Sequence, residues 1–174
     1  MLIFDQKSDV VRKSVAVAKH PICRMLIRSV VEAHRAVPLS YGKHIRGYHP
    51  IRPGHGRIPF ESLIERDTMT ALAKLPQLIK MEAQPLTVFF EADGVRHRYT
   101  PDIRVTLSEV PFELECLGFE RVTLIECKPA QKLAKQRLEL QRNFQAIRMA
   151  VDIPQVLILD EDLDKGLLEV RHDR

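Results

Sequence analysis

RYTPDIRVTL (98–107) and RVTLIECKPA (121–130) decide the reading of this chain. Both are rich in β-branched residues at strand spacing, so each predicts a strand. The first contains Pro101-Asp102. Proline has no amide hydrogen and favours a place where sheet pairing is interrupted, which leaves Asp102 aimed out of an opened sheet. The second ends in Glu126-Cys127-Lys128. Residues two apart in a strand share a face, so Glu126 and Lys128 project together and Cys127 projects to the opposite, apolar side.

Two carboxylates and a lysine at strand ends suit metal-assisted phosphodiester hydrolysis. That reaction needs an aimed water, a lowered water pKa and neutralised phosphate charge, and a divalent cation held by carboxylates supplies much of all three. Hard oxygen ligands with open positions suit Mg²⁺, with Mn²⁺ expected to substitute. Asp102 and Glu126 are the candidate ligands, with the Cys127 backbone carbonyl as a further one. Lys128 is the candidate for orienting the water or neutralising phosphate. The bland alternative is an Asx turn at Asp102 and a surface ion pair at Glu126 and Lys128, worth little.

Working outward, FESLIERD (60–67) opens a predicted helix over 60–75. Glu65 lies on it, with Glu61 one turn earlier; either could face the sheet edge, and Glu65 is the preferred third acid. Residues 86–92 predict a strand, Asp93-Gly94 a hairpin turn, and 97–107 its partner. Residues 108–120 look irregular. After the strand at 121–127, Pro129 suits the first turn of a long helix to about 151, and 155–159 predict a last strand. The order predicts an α/β fold with a mixed central sheet and helices on both faces.

Towards the N-terminus the apolar spacing over 9–36 predicts one or two helices, interrupted at Pro21. Residues 37–59, with several Gly and Pro, look like loop. The division expected is a basic, helical appendage and loop at 1–46 and a nuclease-like domain at 47–174. Residues 1–58 carry 11 Lys/Arg against 3 Asp/Glu, whereas residues 59–174 carry 16 against 20. A basic segment attached to an acidic domain suggests contact with phosphate.

At 174 residues, 45% hydrophobic and 29% charged, the chain is long enough for one domain with a real core. No apolar run approaches the roughly 20 residues of a membrane span, and the first residues lack the order of a secretory signal. Cys23, Cys116 and Cys127 have no metal-ligand spacing. The expectation is free thiols in a cytoplasmic protein. Weaker candidates are Asp5-Gln6-Lys7, the loop histidines His44, His49 and His55, and Gln141 with Gln145 on the long helix. Each is better explained as ordinary polar surface.

GRIPFESLIERD (56–67), EAQPLTVFFEADGVRHRYTPDI (82–103), LIECKPAQKL (124–133), LELQRNF (138–144) and IPQVLILDED (153–162) follow one another in a familiar order. Together this run resembles the TnsA-type endonuclease subunit of heteromeric transposases, specifically its N-terminal catalytic domain in the PD-(D/E)xK superfamily. The resemblance covers about 47–162. It implies a restriction-endonuclease-like fold, with the family's helix glutamate at Glu65, its strand aspartate at Asp102 and its lysine at Lys128. Some members carry Gln at the position of Glu126. The implied activity is Mg²⁺-dependent cleavage of the non-transferred strand at the 5′ ends of a mobile element. The implied partners are the element's DNA ends, a DDE-type transposase and an ATPase regulator. Family members commonly carry a further C-terminal helical domain that contacts the regulator. This sequence ends shortly after its last predicted strand, so recognition of DNA ends is expected to rest on the transposase. Two other classes compete: a stand-alone restriction or defence nuclease, and a non-catalytic DNA-binding assembly module.

Overall fold

A computed structural model describes residues 24–32, 45–51, 56–166 and 168. Among them the chain is a mixed α/β structure with three sheets and four helices. The strands are β1 (Met25–Val31), β2 (Gly47–Pro50), β3 (Arg57–Phe60), β4 (Leu78–Ala83), β5 (Thr87–Ala92), β6 (Val95–Tyr99), β7 (Ile103–Leu107), β8 (Val122–Lys128) and β9 (Gln155–Leu159). The helices are α1 (Leu63–Ala73), α2 (Phe112–Glu115), α3 (Ala130–Ala150) and α4 (Asp160–Asp164).

The sheet that positions the site has the order β4-β7-β8-β9. β7 is antiparallel to both β4 and β8, and β9 returns parallel to β8 after α3. The strand period of two sorts β8 into two faces. Ile125 and Cys127 join Ile103, Val105, Val156 and Ile158 in the core that α1 covers with Met69 and Leu72. Leu124, Leu157 and Leu159 face the other way, where α3 presents Leu133, Leu140, Phe144 and Ile147. Burying one such side chain is worth about 1.5–3 kcal/mol relative to leaving it exposed, so the sandwiching of β8 fixes its register strongly. Asp160 reinforces this by accepting the Ala130 amide at 2.9 Å, tying the end of β9 to the start of α3.

The three-stranded sheet has the order β1-β5-β6 and packs Val88, Phe90 and Tyr99 against Leu124 and Ile147. The Asp93-Gly94 turn is as expected: both residues have positive φ, 50° and 77°, matching the twist of a two-residue hairpin.

Three local expectations are corrected. Met25–Val31 is a strand rather than part of a helix; it pairs antiparallel with β5, from Met25 opposite Ala92 to Val31 opposite Thr87. A short apolar run is ambiguous by periodicity, and here sheet pairing, with β-branched Ile27, Val30 and Val31 in the run, decides it. The remaining residues of the predicted helices, 9–23 and 33–36, lie outside those described. Within the expected loop at 37–59, β2 and β3 form an antiparallel hairpin. The expected single strand at 97–107 is two strands in two different sheets, β6 and β7, broken at Pro101. β4, which the sequence left unassigned, completes the larger sheet; its burial does not alternate cleanly and its pairing shifts between Leu78 and Lys80.

Candidate active site

Asp102 stands at the junction between the two sheets. Pairing of β7 with β8 runs only as far as Ile103 opposite Ile125. Beyond it the Asp102 amide still donates to the Ile125 carbonyl at 3.1 Å, and the Cys127 amide donates to Asp102 Oδ2 at 2.8 Å. A side chain thus takes the place of backbone where Pro101 has ended the ladder. A strand residue points its N–H and C=O to the same side, so the Cys127 carbonyl faces the same side of β8 as its amide.

Glu126 is buried, with 3% of its surface exposed. A carboxylate taken out of water needs partners for both oxygens. The Tyr99 hydroxyl donates to Oε2 at 2.5 Å, and Lys128 forms an ion pair with Oε1. Lys128 Nζ also lies 3.9 Å from Asp102 Oδ2. Burial and the Glu126 carboxylate push Asp102 well above the usual carboxylate range, against the pull of Lys128. Burial works to lower Lys128, but the Glu126 and Asp102 carboxylates outweigh it and raise the lysine, so it stays cationic. Burial and Glu126 hold the Tyr99 hydroxyl well above its ordinary value, which keeps it a neutral donor.

Glu65 approaches from the other layer, in the first turn of α1. Ser62 caps that helix, accepting the Glu65 amide at 3.2 Å. The Glu65 carboxylate in turn accepts from the Ser62 hydroxyl and the Glu61 amide, each at 2.8 Å. This is a variant of the reciprocal capping box. Burial raises its pKa above the ordinary value, with the Glu61 amide and Ser62 hydroxyl pulling the other way. Its charge is felt by Asp102, Cys127 and Lys128. Glu65 is therefore near the acid pair but committed to its own helix. Cys127 sends its thiol into the α1-side core, 3.6 Å from the Thr68 hydroxyl.

Asp102, Glu126 and Lys128 open onto a cleft of about 300 Å³, with Arg98, Tyr99 and Thr100 on one side. Gln136, Glu139, Leu140 and Asn143 of α3 form the other wall. These α3 residues recur at three- and four-residue steps on one stripe of the helix, a signal present in the sequence but indistinguishable there from plain surface. Gln141 and Gln145 lie on a different stripe and do not line the cleft. His49 contacts the Thr70 hydroxyl at 2.9 Å, away from the acids. Asp5, Lys7, His44 and His55 lie outside the described residues.

Among the described residues, no three His, Cys, Asp or Glu side chains form a ready ligand set. The donor chemistry nevertheless fits a hard cation. Two carboxylates repel each other at the mouth of a polar cleft, with Lys128 the cation that bridges them. Asp102 and Glu126, with the Cys127 carbonyl alongside, are the atoms that could hold one. Among the described residues no helix is long and apolar enough to cross a membrane. No protein-family model matches the sequence, and no curated protein matches it.

Proposed function

We propose that the chain is a Mg²⁺-dependent DNA endonuclease with a restriction-endonuclease-like core, acting as the strand-cleaving subunit of a transposase. The observation that carries the reading is the convergence of Asp102, Glu126 and Lys128 on one cleft where two sheets part. Asp102 and Glu126 would hold the cation, and Mn²⁺ would substitute for it. A divalent cation there supplies Lewis acidity and a water of lowered pKa. Lys128 is held cationic by its two acidic neighbours, so it acts as a fixed positive charge towards phosphate rather than as a base. Arg98 on the cleft wall adds a second positive group facing the nucleic-acid backbone. The DNA ends, a DDE-type transposase and an ATPase regulator are the partners this reading assigns, on the strength of the motif order in the sequence.

Nicking of transposon-end DNA in the presence of Mg²⁺ and the partner transposase is the test. Asp102→Ala and Lys128→Ala should each lower the rate at least about 100-fold. Cutting at wild-type rates by either variant would refute the site. Nicking by the purified chain without any transposase would instead favour a stand-alone nuclease.

One observation favours a non-catalytic DNA-binding module: both Glu65 oxygens are engaged in capping α1. Calorimetric titration with Mn²⁺ separates the two, since a decayed site takes up no cation.

A further inference from the structure

Tyr99 and Gln155 come from strands of two different sheets, yet they meet above Glu126. Tyr99 ends β6 in the three-stranded sheet, and Gln155 begins β9, in register with Leu124. Gln155 Nε2 contacts the Tyr99 hydroxyl, which contacts Glu126 Oε2 at 2.5 Å. The direction of this chain is forced. The Glu126 carboxylate, paired with the Lys128 ammonium, accepts here, so the Tyr99 hydroxyl spends its single proton on it. Its remaining lone pairs then accept, so the Gln155 amide must present its NH₂ group. That orientation leaves Gln155 Oε1 buried with no hydrogen-bond partner among the described residues.

This run of contacts gives the buried Glu126 carboxylate a partner that is not one of the charged groups of the cleft. Glu126 Oε1 is held by Lys128, which is itself shared with Asp102. The Tyr99 contact is neutral and its ring is locked in the core beside Leu124 and Ile147. It is the fixed point against which the carboxylate is aimed.

We infer that Tyr99, with Gln155 behind it, is a positioning residue that fixes the Glu126 carboxylate for cation binding. This inference rests on the nuclease reading above. Groups that orient a ligating carboxylate typically change metal affinity or activity 10–100-fold when removed.

The test compares wild type, Tyr99→Phe, Gln155→Leu and the double variant. Mn²⁺ affinity is read by calorimetry on the chain alone. Nicking of transposon-end DNA is read with the partner transposase present. Tyr99→Phe should weaken Mn²⁺ binding about 10-fold or more and lower kcat similarly, with KM for DNA within about twofold; the melting temperature should fall, because a buried Glu126 oxygen loses its donor. Gln155→Leu should act in the same direction and more weakly. The double variant should be no worse than Tyr99→Phe alone, because Gln155 acts through the hydroxyl. Additive losses, or wild-type Mn²⁺ affinity and kcat in Tyr99→Phe, would overturn the inference while leaving the nuclease intact. Wild-type protein that neither binds Mn²⁺ nor nicks would remove the nuclease reading and this inference together.

Discussion

The Cys127 backbone amide donates to the Asp102 carboxylate at 2.8 Å, so the acid is locked to the strand that carries Glu126 and Lys128. One bond therefore couples the broken edge of β7 to the charged end of β8. It also confines Asp102 close to a second carboxylate, and the first consequences are electrostatic.

Asp102 is held well above the usual carboxylate range by burial and by Glu126. A carboxyl with a raised folded pKa binds its proton more tightly in the folded state. Its stabilising contribution is present below the ordinary value of about 3.9 and is lost as pH rises through the folded value. Thermal melts in EDTA should therefore show stability falling from about pH 4 upwards through this group, and Asp102→Asn should flatten that slope. The same variant should melt higher than wild type at neutral pH and nick at least about 100-fold more slowly.

Glu65 separates a capping role from a role in cleavage. Ser62→Ala removes the α1 cap and should cost about 1 kcal/mol in denaturant unfolding. Glu65→Gln keeps an acceptor for the Glu61 amide and removes the charge. If Glu65 serves the cation, nicking falls about 10-fold or more with little change in unfolding midpoint. Equal rates for wild type and Glu65→Gln would leave it a helix cap alone.

Cys127 should contribute through its backbone, not its sulfur. Its thiol is buried and its pKa is raised well above the ordinary value, by burial first and then by Asp102. In a Cys23→Ser background, a thiol reagent should label exposed Cys116 quickly and Cys127 only on unfolding. On the nuclease reading, Cys127→Ala should nick with the same Mg²⁺ dependence as wild type. Loss of that dependence would place the sulfur in the site.

Ile125 tests the α1-side core. It is fully buried between Ile103 and the α1 side chains. Ile125→Ala should cost about 2–5 kcal/mol and Ile125→Val about 0.5–1.5 kcal/mol in urea unfolding. A smaller loss for the alanine variant would mean that the layer collapses to fill the gap.

Much of this was legible along the chain. The alternation in 121–128 placed Glu126 and Lys128 on one face and Cys127 on the other, because a strand has no other way to display them. Pro129 marked where α3 begins, since its missing amide is harmless only there, and Asp93-Gly94 marked the hairpin through its positive φ values. Pro101 announced an interruption of pairing.

What the sequence alone determined was thus the local part: which residues can be strand or helix, and which acids and lysine share a face. Tertiary structure decided that Pro101 sends β6 and β7 into different sheets, that Met25–Val31 pairs with β5, and that β4 backs β7. It also decided that the Tyr99 hydroxyl, backed by Gln155, donates to Glu126 and that Glu65 is occupied by its own helix cap. These depend on which distant segments bury each other's apolar faces, and a period of two or of 3.6 residues carries no record of the partner across the sheet.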